Sequence, residues 1–236
     1  MADAKSTAPL GELAVIVGAG PGLSASLARA CAAEGMKVVL ASRHPDKLAE
    51  LAKETKAIAI ACDATKPAEV AALFEKVAQL GVPDLVVFNA GYRTRGPFIE
   101  LVPVEVEKTL ISSAYGGFLV AQEAAKRMLP KGKGSIFFTG ASASVKGYAQ
   151  SAPFAMAKFA LRGLAQSLAR ELQPKGIHVA HFVIDGGIAG TSPGRASDDD
   201  KFLAPDAIAQ TYLAVHRQQR SAWSTEMEVR PWVENF

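Results

Sequence analysis

An α/β fold with a doubly wound, mainly parallel sheet and helices on both faces is the architecture this sequence predicts, and three observations predict it. Short runs nearly continuous in Val, Ile, Leu and Ala recur along the 236 residues, as strands buried on both faces do. Longer amphipathic stretches separate them, giving the β-α-β rhythm of a layered sheet. A glycine-rich turn stands directly after the first run, where folds of this kind hold phosphate groups.

In chain order the predicted strands are 13–17, 37–41, 57–61, 85–88, 135–139 and 177–182, with helical patterns between them. Pro67 suits a first helical turn, Gly81-Val82-Pro83 separates a helix from a strand, and Gly176 follows a helix end. Residues 1–10 read as a flexible N-terminus ahead of one domain over 11–236. The stretch of about 185–205, rich in glycine and carrying three successive aspartates, is too long for a plain connection and reads as a lid loop. Residues of about 220–236 form an aromatic C-terminal tail whose composition suggests an interface.

Charge and composition narrow the function classes. The net charge of +3 comes from 26 basic and 23 acidic residues scattered without a basic run, which argues against nucleic acid as a partner. Every apolar segment is broken by charge or glycine well short of a membrane span, so a cytoplasmic protein acting on a small molecule is expected. Cys31 and Cys62 lack metal-ligand spacing and read as buried free thiols. No metal site is expected.

The chemistry lies in short motifs. Gly18-Ala19-Gly20-Pro21-Gly22-Leu23-Ser24 joins the first strand to a helix; such a turn lets backbone approach a pyrophosphate whose charge the helix N-terminus then holds. Cys62-Asp63-Ala64 closes the third strand, and Asn89-Ala90-Gly91 follows the fourth. Singly, Asp and Asn also suit turns for local reasons; their order behind a glycine loop favours binding. Ser42-Arg43 ends the second strand, where a carboxylate would accept from a ribose 2′-OH and an arginine pairs with a 2′-phosphate. An ordinary exposed strand-end arginine is the competing explanation. NADP(H) is therefore the preferred cofactor, with NAD(H) admissible.

These motifs resemble, in order, those of the short-chain dehydrogenase/reductase family, and the resemblance runs to about residue 190. The family's Thr-Gly-x-x-x-Gly-x-Gly loop appears with Val17 for the threonine and Ser24 for the last glycine, and its Asn-Asn-Ala-Gly with Phe88 for the first asparagine. The resemblance implies a Rossmann-type dinucleotide-binding domain. It further implies cofactor contacts at Gly18, Gly20, Pro21, Gly22, Leu23, Ser42, Arg43, Asp63, Ala64, Asn89, Ala90, Gly91 and Lys158, with Gly186 and Ile188 standing in for a Pro-Gly segment that meets the nicotinamide carboxamide. Family members assemble through their long helices, so a homodimer or homotetramer is expected, with the helix over 154–172 at the interface.

The same resemblance locates a catalytic set of Asn, Ser, Tyr and Lys, and here the sequence departs from it. The four positions fall on Ser113, Ala141, Phe154 and Lys158; only the lysine is retained. A phenyl ring donates no proton. Ser142, Ser144 and Tyr148 are hydroxyls upstream of Phe154 that stand as candidate replacements, although loop serines commonly bond local backbone. Asp185 is a further ionisable group near the expected pocket, or a turn former before two glycines. The expectation is an atypical NADP-dependent oxidoreductase of a small carbonyl or alcohol with a non-standard proton donor. The alternative is an NADP(H)-binding sensor or structural protein without turnover.

Overall fold

The computed structural model describes residues 11–191, 194–195 and 200–233. The expected flexible N-terminus, part of the lid stretch and the last residues of the tail lie outside the described residues. The strands are β1 (Leu13–Val17), β2 (Lys37–Ser42), β3 (Ile58–Ala61), β4 (Leu85–Phe88), β5 (Gly134–Thr139), β6 (Ile177–Ile184) and β7 (Glu226–Val229). They form one sheet in the order β3-β2-β1-β4-β5-β6-β7, and every pairing is parallel. The helices are α1 (Leu23–Ala33), α2 (Ala49–Thr55), α3 (Pro67–Ala78), α4 (Pro103–Leu110), α5 (Gly116–Met128), α6 (Ala152–Leu172) and α7 (Pro205–His216).

The continuous apolar runs follow from this layering. Side chains alternate across a strand, so Leu13, Val15 and Val17 face one core with α3, α5 and α6 residues such as Phe74, Val120 and Leu161. Ala14 and Ile16 face the other core with Leu27, Phe182 and Tyr212. A strand buried on both sides needs apolar residues at both parities. The chain winds out from β1 to β3 and returns to β4 on the opposite side of β1, so the crevice opens at the carboxyl ends of β1 and β4, where this topology places ligands.

Among the described residues one strand escaped the sequence reading. β7, Glu-Met-Glu-Val, lies within the stretch expected to be a tail. It is an edge strand, only partly buried, and it alternates acid with apolar residues, so it carries no continuous apolar run. Glu226 fixes it, accepting from Nε and Nη2 of Arg162 at 2.6 and 2.8 Å. The tail's aromatics divide: Trp223 stacks on His178 of β6 with ring centroids 4.6 Å apart, whereas Trp232 is 81% exposed. A π-turn, Ile111–Tyr115, joins α4 to α5 and also went unread, because its residues are as helical in type as their neighbours. Among the described residues no helix is long and apolar enough to cross a membrane.

Candidate active site

The glycine loop is held by backbone. Gly18 and Ala19 both donate N–H to the Ala41 carbonyl, at 3.0 and 2.9 Å, which folds the loop over the end of β2. Gly18 has φ +85°, and a Cβ there would fall 2.3 Å from the Ala90 nitrogen. Only glycine lets the turn after β1 lie against the turn after β4. Ser24, at the place of the family's third glycine, is buried and donates to the Gly18 carbonyl at 3.2 Å while accepting from Asn89 Nδ2 at 2.8 Å. Its hydroxyl braces the two turns that the glycines bring together. No side chain caps the first turn of α1, which leaves its N–H groups for an anion.

A cavity of about 210 Å³ opens beside this loop, lined by Gly18, Ser42, Arg43, Asp63, Ala64, Asn89, Ala90 and Gly91 together with Ala19, Cys62, Thr65, Tyr92 and Ser112. The first eight were named from the sequence. Thr65 matters among the rest: its N–H and hydroxyl donate to Asp63 Oδ1 at 3.0 and 2.8 Å. Burial alone would raise the Asp63 carboxyl, but those two bonds and the positive Arg43 and Lys66 outweigh it and hold the group below the usual carboxylate range. Tyr92 is occupied, donating its hydroxyl to Glu105. Ser113, fully buried in the π-turn, accepts from the Tyr92 N–H at 3.3 Å and donates to its carbonyl at 3.4 Å; it lines neither this cavity nor the next. Leu23 points into the core, so its backbone alone is available to a ligand. Gly20, Pro21 and Leu23 line neither cavity.

A second cavity, about 320 Å³, lies at the ends of β5 and β6. Phe154, Tyr148, Ser142, Ala141, Gly186 and Ile188, all named in the sequence analysis, line it, and so do Arg93, Thr139, Ser151, Thr191 and Arg195, which the sequence did not mark. Lys158 sits behind the wall. It is buried, its Nζ donates to the Thr139 carbonyl at 2.7 Å and stands 5.7 Å from the Phe154 ring centroid. Burial pushes its amine down to about 8. Ser144 is turned away to accept from the Ala141 N–H at 3.1 Å, the local bonding expected of a loop serine. Tyr148 is 48% exposed at the rim. Ser151 is 1% exposed, precedes α6 without capping it, and its hydroxyl has no hydrogen-bond partner among the described residues. A signal for it did exist in the sequence, a serine immediately before the Ala-Pro that opens the long helix.

Asp185 takes no part in the cavity lining. It is buried and paired with Lys146 at 3.2 Å and Arg230 at 2.6 Å, so it braces the segment after β6 to the chain after β7. That segment also returns to the glycine loop: a Cβ on Gly22 would meet the Thr191 methyl at 2.9 Å. The described part of the expected lid folds back on itself, with Ile188 bridged to Leu203.

The comparisons with known proteins agree with this geometry. The short chain dehydrogenase family model matches residues 12–200. The uncharacterized oxidoreductase YuxG of Bacillus subtilis is 30% identical over 220 residues, which is 89% of this chain but 32% of that protein, so the chain spans about a third of its length. A crystal structure of a short-chain dehydrogenase from Rhodopseudomonas palustris superposes with a TM-score of 0.83 at 36% identity, covering 95% of this chain and all of that one. A metagenomic short-chain oxidoreductase in complex with NADP gives a TM-score of 0.83 at 27% identity, covering 95% and 99%. Residues 12–200 hold β1 to β6 and the whole lining of both cavities, and on that extent of match the chain belongs to the short-chain dehydrogenase family.

Proposed function

We propose that this chain is an NADP(H)-dependent oxidoreductase of a small carbonyl or alcohol, with its proton supplied by a hydroxyl other than that of a tyrosine at position 154. One observation carries the reading: a cavity beside the dinucleotide loop has the Lys158 ammonium behind it and the hydroxyls of Ser142, Tyr148 and Ser151 among those in its wall. The bound cofactor would supply or accept a hydride at the nicotinamide C4. The chain's residues do the remainder. The glycine loop and the open N-terminus of α1 hold the diphosphate, Arg43 pairs with the 2′-phosphate, Asp63 receives the adenine amino group and Lys158 bonds ribose hydroxyls. The NADP complex of the metagenomic relative supports the choice of cofactor.

Ser151 is our leading candidate for the hydroxyl on the substrate oxygen, since it is buried with an unused donor, whereas Tyr148 is exposed and Ser144 is occupied. General acid catalysis contributes roughly 10²–10⁴-fold, and an amine held near 8 is a proton source matched to neutral pH. The segment 185–205 is proposed as the lid. Exposed apolar side chains on α5 and α6, Phe118, Met156 and Phe159, support a homodimer or homotetramer.

Calorimetry with NADPH, followed by NADPH oxidation over a panel of aldehydes and ketones, tests the proposal on wild type, Ser151→Ala, Ser142→Ala and Tyr148→Phe. We expect binding, measurable turnover and the largest loss in Ser151→Ala. Binding without turnover in any form would leave the sensor or structural role as the better reading.

A further inference from the structure

Five of the described arginines are held in ion pairs, and two others, Arg93 and Arg195, are set apart by where they stand. Arg29 pairs with Glu54, Arg127 with Glu75 and Glu123, Arg162 with Glu226, Arg217 with Glu12 and Glu34, and Arg230 with Asp185 and Glu228. These hold the outside of the fold together. Arg93 and Arg195 do otherwise. Both line the second cavity, and among the described residues no carboxylate lines it with them. Among the described residues neither makes an ion pair. Arg195 donates to the Thr191 hydroxyl at 3.3 Å, and the Arg93 guanidinium lies over the Phe154 ring, 4.8 Å from its centroid.

That contact gives the ring at position 154 a physical task. A guanidinium on an aromatic face is held by the ring's negative quadrupole and keeps its edge donors free. Arg93 is also disfavoured where it stands: burial, then the like charges of Arg95 and Arg195, push its guanidinium down from its ordinary range. An arginine stays protonated in a protein regardless, so two cations share one wall with no counter-charge among its described lining residues. An anion relieves both the repulsion and the empty donors, and bidentate pairing of arginine with carboxylate is a strong form of that contact.

We infer that the second cavity takes a substrate bearing a carboxylate, a small oxo acid or the corresponding hydroxy acid, with the carboxylate seated between Arg93 and Arg195. The inference rests on the oxidoreductase reading and names its substrate class. In the reducing direction the hydride goes to the carbonyl carbon and a proton to its oxygen, so oxo acid, NADPH and a proton give hydroxy acid and NADP⁺.

The test avoids turnover by pairing an oxidised cofactor with an unreduced carbonyl. The protein is first titrated with NADP⁺, then the complex is titrated calorimetrically with 2-oxo acids of increasing length, starting at pyruvate, and with the methyl ester of each. At least one acid should bind roughly 10- to 100-fold more tightly than its neutral ester, the range expected for hydrogen bonds to a charged group. Arg93→Gln should remove that difference while NADP⁺ affinity stays as in wild type, and Arg93→Lys should restore part of it. Arg195→Gln should likewise weaken the acid; if it weakens NADP⁺ and leaves the acid unchanged, Arg195 serves the cofactor's phosphates and the two-arginine seat is overturned. Equal affinity for acid and ester in wild type overturns the inference alone and leaves the oxidoreductase reading standing. Failure to bind NADP⁺ overturns both.

Discussion

The two cavities lie along one edge of one sheet and are built from different material. The cavity beside β1 and β4 is made largely of main chain: a glycine at φ +85° against the Ala90 backbone, two amides on the Ala41 carbonyl, and a short carboxylate fixed by its neighbour Thr65. The cavity beside β5 and β6 is made of side-chain ends brought from separate segments, with Arg93 from one, Ser151 and Phe154 from another and Arg195 from a third. Altering the first means altering the path of the chain. The second is free to change its chemistry while the path stays fixed.

The sharpest way to break that comparison is at the glycines. Gly18→Ala places a methyl on the Ala90 backbone at positive φ and should lower stability by roughly 2–4 kcal/mol and abolish NADPH binding. Gly20→Ala meets nothing within 4 Å and should leave stability within about 0.5 kcal/mol while weakening NADPH. Urea denaturation and calorimetry measure both; a Gly18→Ala protein as stable as wild type would contradict the main-chain account.

Lys158 supplies the next test, since it is buried behind the second cavity. Its amine ordinarily titrates near 10.5 and burial brings it to about 8. Between those values the unfolded chain holds a proton that the folded one has released, so stability rises with pH across the window. The wild type should gain roughly 2–3 kcal/mol relative to Lys158→Met between pH 8 and 10.5. Parallel pH dependences for the two would place the lysine in water.

At the cofactor end, Arg43→Ala should cost about 1.5–3 kcal/mol of NADPH affinity and little of NADH affinity. Equal binding of both cofactors by the wild type would remove the reason for invoking Arg43. The smallest effect is expected at the reaction end: Phe154→Tyr alone should change carbonyl-dependent NADPH oxidation by less than about tenfold, well under the span of a complete general acid. Ala141 still presents no hydroxyl to the substrate oxygen. Adding Ala141→Ser should exceed the sum of the single changes, because groups acting as a unit are not additive. Wild type outperforming Phe154→Tyr would point to the hydroxyls already in the wall.

What was legible in the sequence follows the same division. Six strands were read to within about two residues because burial on both faces forces unbroken apolar runs. The first cavity was legible because its parts are consecutive in sequence, as in Gly18 to Gly22 or Asn89 to Gly91. Arg93 was not, since an arginine does not announce that it will lie over the Phe154 ring, and the serine before the Ala-Pro that opens α6 was passed over although its position marked it. Ser113 and Asp185 were found by position, but what each one bonds to is a three-dimensional fact: the Tyr92 backbone for one, Lys146 and Arg230 for the other. β7 was missed because half of an edge strand faces water.

That missing strand bears on how the protein is made. Among the described residues β6 is the longest strand and all eight of its residues are buried, yet its outer hydrogen-bonding edge is met by residues 225–229, about forty positions further along. During synthesis the first six strands are complete while that edge is still open, and an open, apolar strand edge is a template for another chain. Stalling or proteolysis between residues 184 and 226 should therefore yield an aggregating product in place of a shortened working one, which makes chaperone demand during translation a property written into the last strand.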